Sequence, residues 1–457
     1  MKKNILSIFS LSLITISAII SLRNLPICAE YGLSSITFLL IGIIIYFIPI
    51  AMITAELAST WPTTGCTYTW AKEAFNYKIG FIALWASWME SITWFPTILA
   101  FSSIMCAYIL SPIFQNLHDN KIFLFITILI IFWSITIINF LGIKLSSYIS
   151  TIGVLLGTII PGIIIIFLGI YWIITKDSLQ IEFVSKNLIP SFKINDLSFF
   201  SGILLSLSGI ELSAFHILDF KNPKKNYPKV LIISSIIIIL LYILGTISIS
   251  IVVPKNEICL ASGLIQAFSV FFTYFDINFA IPIIAFFLLI GALAGINTWM
   301  IGPARGLLVA SKDNLLPKIL KFENKKNVPV NILILQTAIG SILSFLFLYM
   351  DTNSSAIWIL IALSFQFAAI QYIITIISII KLRITKKNIE RGYKAPFLYF
   401  ISFLAGGACL FNFFIVFIPP SNMYNNNKLL FTVLLITFLV ILISPPFFLL
   451  KFKKIKN

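Results

Sequence analysis

Apolar runs of roughly twenty residues, each long enough to carry a helix across about 30 Å of hydrocarbon, recur from one end of the chain to the other. In lipid every backbone N–H and C=O must be satisfied within its own segment. The runs therefore predict helices, because barrel strands would be shorter and would alternate in polarity. Twelve spans are predicted, over residues 5–29, 34–57, 79–112, 121–142, 147–175, 197–220, 230–253, 277–311, 330–350, 355–380, 397–418 and 429–450. Two of them are interrupted by polar residues. In "AIISLRNLPICAEYG" (18–32), Ser17 and Ser21 lead into Arg23, Asn24 and Pro26. In "SLSGIELSAFHILDFKNPKKNYP" (206–228), Ser206 and Ser208 flank a mid-span Gly209, and Glu211 follows.

These interruptions fall in the first and sixth spans, five spans apart. An odd number of helices per half turns the second half upside down relative to the first. Paired broken helices at matching positions of inverted halves point to a binding site at the membrane midplane. Half-helix N-termini present free N–H groups to a carboxylate, and half-helix C-termini present carbonyls to an ammonium. That combination suits the zwitterion of an α-amino acid. The plainer alternative is a pair of Pro and Gly kinks, which transmembrane helices tolerate.

Composition supports the membrane reading. The 457 residues are 59% hydrophobic and only 11% charged, where a soluble chain carries about a quarter charged residues. With the N-terminus inside, 24 of the 32 Lys and Arg fall in inner segments and six in outer ones, leaving Arg23 and Arg305 within spans. This bias agrees with strict in–out alternation. It also assigns the net charge of +16 to loops facing anionic lipid rather than to nucleic acid. No soluble domain is expected, and neither GxxxxGK[ST] nor GxGxxG occurs. Movement of a solute would then run on a gradient or an exchange. Five scattered cysteines without a CxxC imply neither disulfides nor a metal centre, and no cofactor is expected. The apolar run behind Lys2 and Lys3 is read as the first span rather than a cleaved leader.

"GIELSAFHILDFKNPKKNYP" resembles the sixth-helix signature of the amino acid–polyamine–organocation superfamily, with GxE followed by NPxxxxP. "ELASTWPTTGCTYTW" (56–70) and "GINTWMIGPARGLLVASKDNLLP" (295–317) are similar to its second-helix and eighth-helix segments, and the glutamate/GABA antiporters are the subfamily most resembled. The resemblance implies an all-α fold with two inverted five-helix repeats (1–175 and 197–380) and two peripheral helices (397–450). It also implies alternating access by rocking, and no catalysis.

By that resemblance, Ser21, Leu22, Arg23 and Asn24, with Ser206, Ser208, Gly209 and Glu211, form the substrate site, lined further by Asn297 and Trp299. Arg23 is expected either to recognise an acidic side chain with its planar fork or to pair with Glu211 or Glu90. Glu90 and Glu211 are candidate proton carriers, with His216 a lesser one. Thr151 and Thr298, with first-span carbonyls, are a candidate sodium site. Glu56, Asp219 and Arg305 are expected to latch the inner path. A C-terminal plug is not expected, with about seven residues after the last predicted span. The expected function is a secondary amino-acid transporter, most simply an exchanger, in a bacterial-type inner membrane with both termini cytoplasmic, as a monomer or homodimer. Proton- or sodium-coupled symport, exchange of polyamines or other cationic metabolites, and a polytopic membrane enzyme are the alternatives.

Overall fold

In the computed structural model, residues 6–111, 117, 120–175, 179–190, 194–350, 352–418 and 428–451 are described. Lys2, Lys3, His118, Lys176, Lys193, Lys453, Lys454 and Lys456 lie outside them. Twelve helical spans are present among the described residues, the first being Ile8–Ala29 and the last Leu429–Lys451. Their ends depart from the hydropathy boundaries by only a few residues, except the seventh. It begins at Pro223 rather than near 230, because Pro223 starts the helix and carries the "PKKNYP" segment into its first turns.

Both interruptions are breaks in the helix. The first span is helical over Ile8–Ile19, and Ile20 and Ser21 are extended. The chain then re-enters a 3₁₀ turn at Leu22–Asn24 and a short helix at Leu25–Ala29. Pro26 sits in the first turn of that second half, where its missing N–H costs no hydrogen bond. The sixth span is helical over Ile194–Ser206. It unwinds through Gly209, whose φ of +102° is left-handed, and continues as a 3₁₀ helix over Ile210–Asp219.

Two shorter helices were not visible as apolar runs. Thr67–Ala74 follows the second span and Gly263–Tyr274 follows the seventh. The second and fifth spans each contain one π-helical turn, at Ile43–Phe47 and Leu155–Ile159. Such turns insert one extra residue and redirect the side chains around them. The first brings Tyr46 to Ser208, Oη to Oγ 2.6 Å. The second lies where Gly157 and Gly291 bring the fifth and eighth spans into backbone contact. A Cβ on Gly157 would stand 2.0 Å from the Gly291 nitrogen.

The third, sixth and tenth spans are the most buried, while only 11% of the last span's apolar window is covered. The breaks therefore lie inside protein, where unwound backbone can be satisfied, and not against lipid.

Candidate functional site

The two breaks face each other, and aromatic side chains from neighbouring spans occupy their free backbone groups. The N-terminal half of the first span ends with open carbonyls at Ala18 and Ile19. Trp299 Nε1–H donates to Ala18 O at 2.7 Å, and Tyr242 Oη–H reaches Ile19 O at 3.0 Å. The same Tyr242 hydroxyl lies 2.8 Å from Ser206 O, the last helical carbonyl before the second break. On the far side of that break, Gly209 N–H donates to Tyr372 Oη at 2.9 Å. Gly209 is required there twice over. Its left-handed φ suits no β-carbon, and a Cβ would lie 2.8 Å from Trp299 Cζ2.

Glu211 is fully gathered in. Gln371 Nε2 donates to Oε1 and Tyr372 Oη to Oε2, both at 2.5 Å. Its backbone carbonyl accepts from Cys66 Sγ at 3.6 Å, so the "TTGCTYTW" segment reaches back to the sixth span. Glu90, on the third span, is equally buried, and neither carboxylate oxygen has a hydrogen-bond partner among the described residues. The ionisable groups facing it are Glu211, Tyr46 and Tyr372, with the Cys409 thiol.

Arg23 is 2% exposed, just C-terminal to the first break. Its Nε and Nη1 have no hydrogen-bond partner, and no ion pair joins it to Glu211 or Glu90 among the described residues. Tyr242 is the ionisable group that faces it. Asn24 is buried on the same turn. Leu22 and Ser21, with Ser17, Trp94, Gly157 and Gly295, line a cavity of about 10 Å³ between the first, third, fifth and eighth spans. That is room for about one water. Trp94 stacks on Trp299 at 5.2 Å beside this cavity. The path is therefore closed around the breaks, and an amino acid can enter only when the spans part.

A second small cavity, lined by Ser150, His216, Asn297 and Thr298, lies beside Ile14 in the N-terminal half of the first span. Of the two hydroxyls the sequence suggested, Thr298 joins this cluster and Thr151 does not. Thr298 Oγ1 meets Ser150 Oγ at 2.9 Å and Ser17 Oγ at 3.2 Å. Thr151 is spent on its own helix, donating to Ser147 O at 2.8 Å. Asn297 Nδ2 donates to the Ser146 carbonyl and hydroxyl and to Ser150 Oγ.

The lysine-rich ends of the spans are tied by three separate clusters rather than one. Arg305 pairs with Asp219 at 3.0 Å and lies 3.4 Å from His216 Nδ1. The Leu6 N–H donates to Asp219 O at 3.0 Å, pinning the start of the first span to the end of the sixth. Glu56 belongs elsewhere. It is fully buried and receives Arg383, Arg391 and the Ala395 N–H, the last at 2.7 Å. A third tie joins Lys72 and Tyr68 to Asp313. Burial would push the Asp313 carboxyl up, but Lys72 and Tyr68 outweigh it and hold it below the usual carboxylate range.

Sequence reading missed Tyr242, Tyr372, Gln371 and Tyr46, which hold the breaks. Their signal was present as lone polar residues inside apolar runs, such as "LLYILG" and "AAIQYII".

Comparison with known proteins agrees with this geometry. The amino acid permease family model matches residues 6–441. The chain is 38% identical over 425 residues to an uncharacterized transporter of Legionella pneumophila, covering 92% of this chain and 91% of that one. It is 29% identical over 439 residues to a glutamate/gamma-aminobutyrate antiporter of Lactococcus lactis, covering 93% and 86%. It is 27% identical over 325 residues to a probable agmatine/putrescine antiporter of the same species, covering 70% and 67%. A multi-pass helical chain with two facing broken helices and these relatives is a transporter and not an enzyme, and it belongs to the amino acid permease family of the amino acid–polyamine–organocation superfamily.

Proposed function

We propose that the protein exchanges amino acids bearing a side-chain carboxylate across a bacterial inner membrane, with both termini cytoplasmic. The observation that carries this reading is Arg23, a buried guanidinium beside the first break with two nitrogens unclaimed by the described residues. A planar, permanently charged fork is suited to a carboxylate and repels a polyamine. The substrate's own α-amino and α-carboxyl groups would replace Trp299, Tyr242 and Tyr372 at the backbone groups of the two breaks. The named activity of the Lactococcus glutamate/gamma-aminobutyrate antiporter supports the same substrate class. Two inverted repeats, 1–175 and 197–380, frame the site. Each opens on a broken helix, and each places a short helix after its second span. The site works within one chain, whether as a monomer or a homodimer.

Liposomes preloaded with single amino acids test this. Labelled glutamate is expected to exchange against internal acidic amino acids and not against lysine or putrescine. Arg23→Ala should lower acidic exchange at least about thirtyfold, as loss of a buried charge partner does, while the purified variant keeps its melting temperature. Acidic exchange at the wild-type rate in a folded Arg23→Ala protein would overturn the assignment.

Glu90 is the proposed proton carrier of the cycle. Glu211 is held by two donors, so it has what a carboxylate needs. Glu90 has none, and an ionised carboxylate buried without a donor is far more costly than a neutral acid. Glu90→Gln keeps the neutral shape. It is expected to retain exchange but lose acceleration by an imposed proton gradient. An unchanged gradient response in that variant would remove Glu90 from the coupling.

A further inference from the structure

Away from the transport path, an apolar groove opens toward lipid between the second and seventh spans. Its volume is about 260 Å³, and its walls include Ile48, Met52, Leu231, Ser235, Ile236 and Ile239. Apart from Ile239, just past the middle of its span, these residues lie in the halves of the two spans that end at Thr60 and begin at Pro223, the side carrying most of the lysines. Tyr393 closes the end of the groove. The next residue along the chain, Lys394, belongs to a second depression of about 440 Å³ lined by Arg383, Lys387, Ile389 and Arg391.

The two depressions are held together by the loop between the tenth and eleventh spans. Gly392 presses so closely on the seventh span that a Cβ there would lie 2.5 Å from Lys224 O. Just past the loop, Phe397 is 82% exposed, with Tyr399, Phe400 and Phe403 exposed beside it. Tyr399, with an apolar body and a polar tip, suits the level of the lipid headgroups, and the exposed phenylalanines suit hydrocarbon. Within the basic depression, Arg383 and Arg391 are already committed to Glu56. Lys387 and Lys394 are exposed, so four positive charges on this shelf stand against Glu56 and the exposed Glu390, an excess of two.

We propose that groove and basic shelf form one binding site for an anionic phospholipid, with an acyl chain between the second and seventh spans and the phosphate between Lys387 and Lys394. Charge complementarity selects the headgroup, and the groove selects a molecule with a tail. With the orientation proposed above this site would face the inner leaflet, but its chemistry does not depend on that orientation.

Native mass spectrometry of the detergent-purified full chain tests the proposal without reference to transport. Phosphatidylglycerol and phosphatidylcholine with the same acyl chains are titrated separately. Phosphatidylglycerol is expected to bind at least tenfold tighter. At about fivefold per lysine near the headgroup level, Lys387→Gln with Lys394→Gln should erase that preference. Ser235→Trp, which fills the groove, should weaken both lipids. Equal binding of the two lipids by the wild type, or an anionic preference that survives the double substitution, would overturn the headgroup assignment. Undiminished binding in Ser235→Trp, or glycerol 3-phosphate binding as tightly as the whole lipid, would overturn the acyl groove.

Discussion

Gly157→Val should yield little folded protein and no measurable exchange. The reason is the contact between the fifth and eighth spans. A Cβ at Gly157 would stand 2.0 Å from the Gly291 nitrogen and 2.3 Å from the Phe287 carbonyl oxygen. From the other side, a Cβ at Gly291 would stand 2.2 Å from the Gly157 oxygen. All three obstacles are backbone, so no side chain can swing aside. The helices themselves would have to separate, and both line the cavity beside the first break. Membrane helices pack through such small residues because lipid offers no hydrophobic drive to hold larger ones together. Overpacking without relief costs about 3 kcal/mol or more. Gly406→Val is the control, since nothing lies within 4 Å of a Cβ there. Fluorescence-detected size exclusion and liposome exchange read both variants. If Gly157→Val matched Gly406→Val, the close approach of the fifth and eighth spans would be wrong.

Glu56→Ala is expected to cost about 3–5 kcal/mol, the range for removing one partner of a buried ion pair. Glu56 is 0% exposed and is the shared acceptor for Arg383, Arg391 and the Ala395 N–H. Its loss leaves two guanidinium groups facing each other around an empty centre. It also frees the loop carrying Ala395 from the second span. Glu56→Gln keeps the volume and one acceptor oxygen, so it should fall between wild type and alanine. Asp219→Asn should do less harm, because Arg305 and Asp219 are partly open to solvent, at 11% and 18% side-chain exposure. Thermal melting in detergent orders the three variants. A melting temperature for Glu56→Ala equal to that of Asp219→Asn would contradict the central place given to Glu56.

How much of this was legible beforehand follows from physical scale. A spanning helix needs about twenty apolar residues, so the twelve spans stood out, and Pro26 and Gly209 announced the breaks because both disturb a helix by their own geometry. The helix Gly263–Tyr274 has only 12 residues and merges with its apolar surroundings. The π-helical turns leave no compositional mark, since one inserted residue changes direction but not hydropathy. Ser150 and Thr151 were not separable for a different reason. Adjacent residues point about 100° apart on a helix, and only the packed neighbours decide which of them meets Thr298. Glu56 was recognisable as an inner-end carboxylate, but its partners lie more than 300 residues further along the chain. Nothing local favoured Arg383 over Arg305.

Tyr242 has a further consequence. A phenol owns a single hydrogen, yet this one stands within reach of carbonyls on both interrupted helices. It cannot serve both at full strength. When either half tilts away, the proton goes wholly to the other, whose grip tightens as its counterpart's loosens. The two interrupted helices therefore compete for one hydrogen, and this tyrosine links the end of one to the end of the other.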